Sequence, residues 1–384
     1  MEYIVFSQPE ITEGDVIAVS DVLRSKWIGK GPKTTELEDV FKKRVGAEGA
    51  VGLNSCTAAL FLALKVNDIG SGDEVITTPL TFAATANVIV HVGAKPIFVD
   101  IDRKTFNIDA AQIEKAITPR TKAIIPVHFA GRPCDMDEIM CIAKKNKLRV
   151  IEDCAHSIES EYHGQLCGSF GQAACYSFYA TKNITCGEGG MLALKGKSEF
   201  ERAQILSLHG LSHHAWTRYD KEGSNFYEVV EHGYKYNMHD ISAALVLSQY
   251  ARIEENWKRR QANWNRYMVG LKDVVGISLP AEVGLGIKHA CHLFTILLDI
   301  NNLKISRNEF CSLLKEKNIG TGIHFLTLHT QPAFQETLGH TPSLPNAEFV
   351  SERTVSIPVQ PSLSSVEVDY IIDTIKTVIS ENFK

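Results

Sequence analysis

The chain has 384 residues, 44% of them hydrophobic and 22% charged, which leaves room for a large core and for two to three domains of about 150 residues each. That composition excludes a disordered or low-complexity chain, and a net charge of -5, from 40 Lys and Arg against 45 Asp and Glu, leaves no basic footprint for nucleic acid or an anionic membrane. Nine cysteines without C-x-x-C spacing argue against a disulfide framework and a thiolate zinc site and predict a reducing, cytoplasmic setting. Residues 1–10 lack the basic-then-apolar pattern of a signal peptide, and no run reaches the roughly 18 apolar residues of a membrane span.

From about residue 50 to 195, short apolar runs alternate with helical patterns. The runs at 50–53, 74–77, 97–100, 123–127, 150–152, 174–178 and 191–194 predict strands of a mostly parallel sheet. Segments 109–117 and 136–145 carry apolar residues at helical spacing, each with an Asp near its start, and predict crossover helices. Residues 241 to about 272 contain no Pro and predict one long connecting helix. Beyond Pro280, strand-like pieces at 292–300, 320–325 and 354–359 interleave with helical pieces near 307–317 and 366–380, the pattern of a smaller α+β domain.

The segment LNSCTAALFLAL at 53–64 is a strand that passes through hydroxyl residues into a helix, whose free N–H groups, with Ser55 and Thr57, suit a phosphate. Taken alone, a simple helix cap explains it better. VIEDCAH at 150–156 ends a buried strand with two acids and a histidine, where ligands bind in open α/β sheets; a cap with a solvated acid pair explains it equally well. SFYATKNITCGEGGM at 177–191 carries Lys182 in a weakly charged, glycine-rich loop, a setting for a desolvated amine but also for an ordinary solvated lysine. Together, a phosphate cup, an acid at one strand end and a lysine at another are what pyridoxal phosphate requires. Neither a Walker spacing in GKGPKT at 29–34 nor H-E-x-x-H nor G-x-S-x-G is present, and no metal site is expected. HACH at 289–292 reads as a strand edge and receives no role.

Those three segments, with SKWIGKGP at 25–32, GDEVITTP at 72–79, TFAAT at 81–85, GAKP at 93–96, IPVHFAG at 125–131 and GYKYNM at 233–238, resemble the DegT/DnrJ/EryC1/StrS family of nucleotide-sugar aminotransferases across nearly the whole chain. The resemblance implies an α/β, fold type I pyridoxal-phosphate enzyme: a large domain (1–250) with a mostly parallel seven-stranded sheet, and a small α+β domain (251–384). It implies Lys182 as the Schiff-base lysine, Asp153 on the pyridine nitrogen, His156 facing the phenolic oxygen and Phe82 stacked on the ring. Thr57, Ala58 and Ser177 match phosphate positions, and Lys235 and Asn237 lie in a segment that reaches the phosphate of a neighbouring subunit, so a homodimer with shared sites is implied. Trp27, Lys30, His324 and His329 are implied as substrate residues.

Within the family, residues 182–186, 233–237, 320–325 and 329–331 look most like the UDP-4-amino-4-deoxy-L-arabinose aminotransferases, apart from Phe82, where those have Trp. The implied reaction moves the amino group of L-glutamate, leaving 2-oxoglutarate, to C4 of a UDP-linked keto sugar for lipopolysaccharide or another surface glycan. Amination at C3 of a dTDP-linked sugar, a sugar dehydratase and a non-catalytic regulator are the alternatives; the dehydratases of the family carry His at the position of Lys182. Cys56, Cys154 and Cys186 lie inside the cofactor motifs and predict inhibition by thiol reagents that bound cofactor relieves.

Overall fold

The computed structural model describes residues 1–212 and 227–384. In chain order its elements begin with α1 (Glu13–Ser25), α2 (Pro32–Val45), β1 (Gly49–Leu53), α3 (Cys56–Val66), β2 (Glu74–Thr77), α4 (Ala83–His91), β3 (Lys95–Phe98), α5 (Ala110–Ala116) and β4 (Thr121–Ile125). There follow α6 (Met136–Asn146), β5 (Arg149–Asp153), β6 (Glu161–Tyr162), β7 (Gln165–Leu166), β8 (Ala173–Ser177), β9 (Gly190–Leu194), α7 (Lys197–Ser207) and α8 (Asp240–Tyr250). The remainder is α9 (Ile253–Gly270), β10 (Ile277–Ser278), β11 (Ile287–Lys288), β12 (Phe294–Leu298), α10 (Arg307–Glu316), α11 (Pro332–Leu338), α12 (Pro345–Arg353), β13 (Thr354–Ile357) and α13 (Ser365–Asn382).

The seven expected apolar runs all form strands, joined in one sheet in the order β1-β9-β8-β5-β4-β2-β3. Strands β8, β5, β4, β2 and β3 are parallel, and only β9 runs against its neighbours β8 and β1. Both faces are buried, and successive side chains divide between two cores as strand geometry requires. Val51, Cys175, Leu192 and Leu194 join Leu60, Leu62 and Leu64 of α3 on one face. On the other, Ala174, Tyr176, Met191 and Ala193 pack with Phe41 of α2 and Val246 of α8.

This topology brings the ends of β1, β2, β5 and β8 to one edge of the sheet, where Ser55, Phe82, Asp153 and Ser177 follow or end their strands. Ser55 caps α3 by accepting from the Ala58 N–H at 3.1 Å. Asp240 at the start of α8 accepts from the N–H groups of Gly31, Lys33 and Thr34 and from the Thr34 hydroxyl, so it caps α2 from about 200 residues away.

The single connecting helix expected at 241–272 is instead two, broken at Ala251 and Arg252. The break redirects the chain: α8 packs on α1 and α2, whereas α9 packs on α13. Arg252 holds the corner through Asp15 at 2.5 Å and the Glu10 carbonyl at 3.1 Å. We propose the domain division at this corner. The C-terminal part builds a three-stranded sheet, β10-β12-β13, covered by α10 and α13, both started by Ser-Glu capping boxes. Residues 320–325, expected as a strand, make one isolated bridge, Gly322 with Ser356, and Ile319 just before them meets Ile4. Ile4 thereby joins the C-terminal core.

Gly190 sets the spacing between β9 and the start of α3. A Cβ there would stand 2.4 Å from the Ser55 carbonyl carbon and 2.5 Å from the Cys56 nitrogen, both backbone atoms. Gly190→Ala is therefore expected to destabilise the fold by about 1–3 kcal/mol, read as a lower urea midpoint with an unchanged m-value.

Candidate active site

A cavity of about 540 Å³ opens over that sheet edge, and residues of both parts of the chain line it. Its walls include Cys56 and Thr57 from the start of α3, Phe82 before α4, Asp153 and His156 after β5, Ser177 and Lys182 after β8, and His292, His324 and Phe325 from the C-terminal part. Three of the sequence segments thus meet, although Cys56 and Lys182 are 126 positions apart.

Asp153 is buried at the cavity floor. Its Oδ2 accepts from the Thr85 hydroxyl at 2.9 Å and its Oδ1 from the Ala155 N–H at 3.1 Å. Burial pushes its pKa up; the donated hydrogen bonds and the nearby Lys182 pull the other way. A carboxylate in such a place calls for a cationic partner on its open side. The Thr85 hydroxyl is itself held at 3.0 Å from that of Thr81, so a short hydroxyl chain orients the acid.

Lys182 lies in a turn in which its N–H donates to the Tyr179 carbonyl at 2.9 Å. Burial lowers its ammonium pKa to about 8, against the opposing pull of Cys56 and Asp153. About half of the amine is then free at pH 8, where an exposed lysine is almost wholly protonated. His156 is buried and far below its ordinary pKa, chiefly through desolvation and then through Lys182. Its Nδ1 accepts from the Ala130 N–H at 3.3 Å, so the neutral ring carries its proton on Nε2. Phe82 is 65% exposed, a large apolar face open to the cavity.

Pyridoxal phosphate fits this donor set. An amine whose pKa burial lowers to about 8, a buried carboxylate with no ion pair among the described residues, an open aromatic face and a helix start with the Thr57 and Ser177 hydroxyls border the same space. The fold and this cavity define a pyridoxal-phosphate-dependent transferase.

Comparison with known proteins identifies the family. The model of the DegT/DnrJ/EryC1/StrS aminotransferase family matches residues 9–376. The spore coat polysaccharide biosynthesis protein SpsC of Bacillus subtilis is 44% identical over 379 residues, covering 98% of this chain and 97% of its own. Among solved structures, Spr1654 of Streptococcus pneumoniae in its PLP form aligns with a TM-score of 0.91 and 36% identity over 99% of both chains, and its PMP form with 0.92. PseC of Helicobacter pylori, an aminotransferase involved in the biosynthesis of pseudoaminic acid, aligns with a TM-score of 0.92 and 27% identity over 99% of this chain and all of its own. The chain belongs to the DegT/DnrJ/EryC1/StrS aminotransferase family. It is an enzyme, a sugar aminotransferase that uses pyridoxal phosphate.

Other expected residues stand apart from the cavity. His329 is completely buried and its Nε2 meets Glu348 at 3.1 Å, so it does not reach the substrate side. The Ala58 N–H is taken by Ser55, which leaves the earlier N–H groups of α3 for an anion. Trp27 donates to the Lys30 carbonyl at 3.1 Å and Lys30 pairs with Glu38 at 2.8 Å, neither against this cavity. Lys235 pairs through its backbone with Leu208 and Asn237 with Leu53, and neither lines the cavity of its own chain.

Sequence reading missed Phe6, which stacks on His324 at 5.4 Å, and Ser7, whose hydroxyl donates to the Thr181 carbonyl at 3.3 Å. It also set aside His292, which borders the cavity. Periodicity carries no mark of such long-range neighbours. The motif cysteines change meaning: burial pushes the Cys56 and Cys154 thiols well up and that of Cys186 to about 12, so all three are poor nucleophiles. The expected sensitivity to thiol reagents loses its basis. No helix among the described residues is long and apolar enough to cross a membrane.

In cofactor-free protein, modification of Lys182 by a small acylating reagent should rise with pH to a half-maximum near 8, read by peptide mass mapping. A half-maximum near 10.5 would contradict the desolvated amine.

Proposed function

We propose that the enzyme transfers the amino group of L-glutamate to C4 of a UDP-linked keto sugar and so supplies an amino sugar for lipopolysaccharide or another surface glycan. The observation that supports this most is the meeting of Lys182, Asp153, Thr57, Ser177 and His324 in one cavity. The part of SpsC in spore coat polysaccharide biosynthesis agrees with a surface glycan. The choice of C4 and UDP rests on the likeness to the UDP-4-amino-4-deoxy-L-arabinose aminotransferases.

When bound, pyridoxal phosphate supplies an aldehyde that holds amino groups and a protonated pyridine that takes up the electron pair left when a carbon loses its proton. In our reading Lys182 holds the cofactor between turnovers. Its amine, which burial keeps less basic than an exposed lysine, would accept and return the proton at carbon. Asp153, oriented by Thr85, would keep the pyridine nitrogen protonated, and His156, whose Nδ1 accepts from Ala130, would offer its Nε2–H to the phenolic oxygen. Phe82 covers the ring, Thr57, Ser177 and the start of α3 hold the phosphate, and His324 faces the sugar.

We assign a homodimer with shared sites. Trp27, Lys30, Lys235 and Asn237 do not line their own cavity, and the buried Oδ1 of Asn237 has no hydrogen-bond partner among the described residues. Each would then serve the partner's cavity.

Lys182→Ala should abolish the visible absorbance that bound cofactor shows when linked to a lysine and should lower turnover about 10³-fold or more. Asp153→Ala should weaken cofactor binding and cost about 10²–10³ in kcat; a near-normal rate would refute the pyridine contact. A screen of UDP- and dTDP-linked 4-keto and 3-keto sugars with L-glutamate, read by product mass, tests the substrate. Amination of UDP-4-keto sugars is expected, and exclusive turnover of a dTDP-3-keto sugar would replace the C4 reading.

A further inference from the structure

Behind the cavity lies a chain of buried polar groups that the reaction described above does not use. Arg260 of α9 donates to Glu159 at 3.3 Å and to the carbonyl of Asn183 at 2.9 Å. Asn183, the residue after Lys182, donates its amide Nδ2 to Glu159 at 2.8 Å and to the Ala290 carbonyl at 3.1 Å. Its Oδ1 meets His292 Nδ1 at 2.9 Å. The His292 ring packs against the His156 ring, with centroids 4.4 Å apart and the planes tilted by 38°.

The protons of this chain follow from its donors. With Nδ2 of Asn183 committed to two oxygens, its Oδ1 must accept, so His292 carries its proton on Nδ1. His156 carries its own on Nε2 because its Nδ1 accepts from Ala130. Burial keeps both rings neutral. Each ring is thus held in one tautomer from behind, with its remaining nitrogen uncommitted to that network.

Stability gives a weak reason for such a construction. A buried pair such as Arg260 and Glu159, 7% and 0% exposed at their side chains, gains little over apolar residues of similar size. What it does here is grip the residue next to Lys182 from α9, while Ala290 and His292 grip the same residue from the approach to β12.

We propose that His292 is a positioning residue: anchored by Asn183, it holds His156 in register with Lys182 and ties that register to the C-terminal half of the chain. The proposal rests on the assignment of Lys182 and His156 to the cofactor made above.

The test uses the enzyme loaded with pyridoxal phosphate and follows its visible absorbance against pH. His292→Ala is expected to move the midpoint of that titration by about one pH unit and to lower kcat about 10–100-fold, with a smaller change in KM for L-glutamate. Asn183→Ser keeps the ring and removes its anchor, together with the amide bonds to Glu159 and the Ala290 carbonyl, so it keeps the question open to measurement if His292→Ala fails to fold. It should move the midpoint in the same direction, and the double variant should move it no further than the larger single shift. A midpoint equal to that of the parent in whichever variants fold would overturn the proposal, even if activity fell. Lys182→Ala separates the two readings. If the lysine-linked band survives in that variant, the cofactor assignment fails; if the band requires Lys182 while the His292 and Asn183 variants titrate as the parent does, only the positioning role fails.

Discussion

Desolvation at one sheet edge governs this molecule. Asp153 and Lys182 are both taken out of water, and burial moves each toward its neutral form: the acid upward, the amine down to about 8. In water a carboxylate and an ammonium would each hold their charge near neutral pH and do little chemistry. In the cavity the amine is available as a base, and the acid is poised for a cationic partner. The parallel pairing of β5 with β8, which sets Asp153 opposite Cys175, produces that proximity. The two-sided cores around the sheet keep the strands from shifting.

The hydroxyl chain of Thr81 and Thr85, the cap of Ser55 and the close approach at Gly190 all serve this edge. None adds an apolar contact of consequence. Each fixes a polar atom that would otherwise be free to rotate in a low-dielectric space, where a misplaced dipole costs more than it does in water. The same economy of motion explains why β9, the reversed strand of this sheet, starts at Gly190 with Gly189 just before it: a side chain at either would strike Cys186 or the Ser55 backbone.

The large sheet was legible in the sequence because its strands are buried on both faces and read as short apolar runs between turn residues, each within two or three positions of its observed bounds. That Lys182, Asp153, Thr57 and Ser177 line one cavity was legible because each lies at the end of such a run or within four residues of it. What escaped was settled by tertiary contacts. The helix expected across 241–272 has unbroken helical propensity; the bend at Arg252 comes from Asp15 and Glu10, more than 200 positions away. His329 has the composition of a site residue but is turned inward by Glu348. His292 looked like part of a strand edge, and only the packing of the C-terminal sheet against the lysine loop carries it to the cavity. Residues 320–325 lack ladder partners and so stay irregular, which leaves His324 free to stack on Phe6.

The segment that contains Ile4, Phe6 and Ser7 has a consequence for how the molecule is made. Ser7 finds Thr181 after 174 positions, and Ile4 finds Ile319 only when most of the chain exists. A ribosome therefore releases this segment long before anything is there to receive it, and the large sheet can assemble while the segment still hangs loose. The cavity wall at Phe6 closes late, so a nascent chain whose β9 has emerged can hold an ordered sheet around an unfinished catalytic chamber.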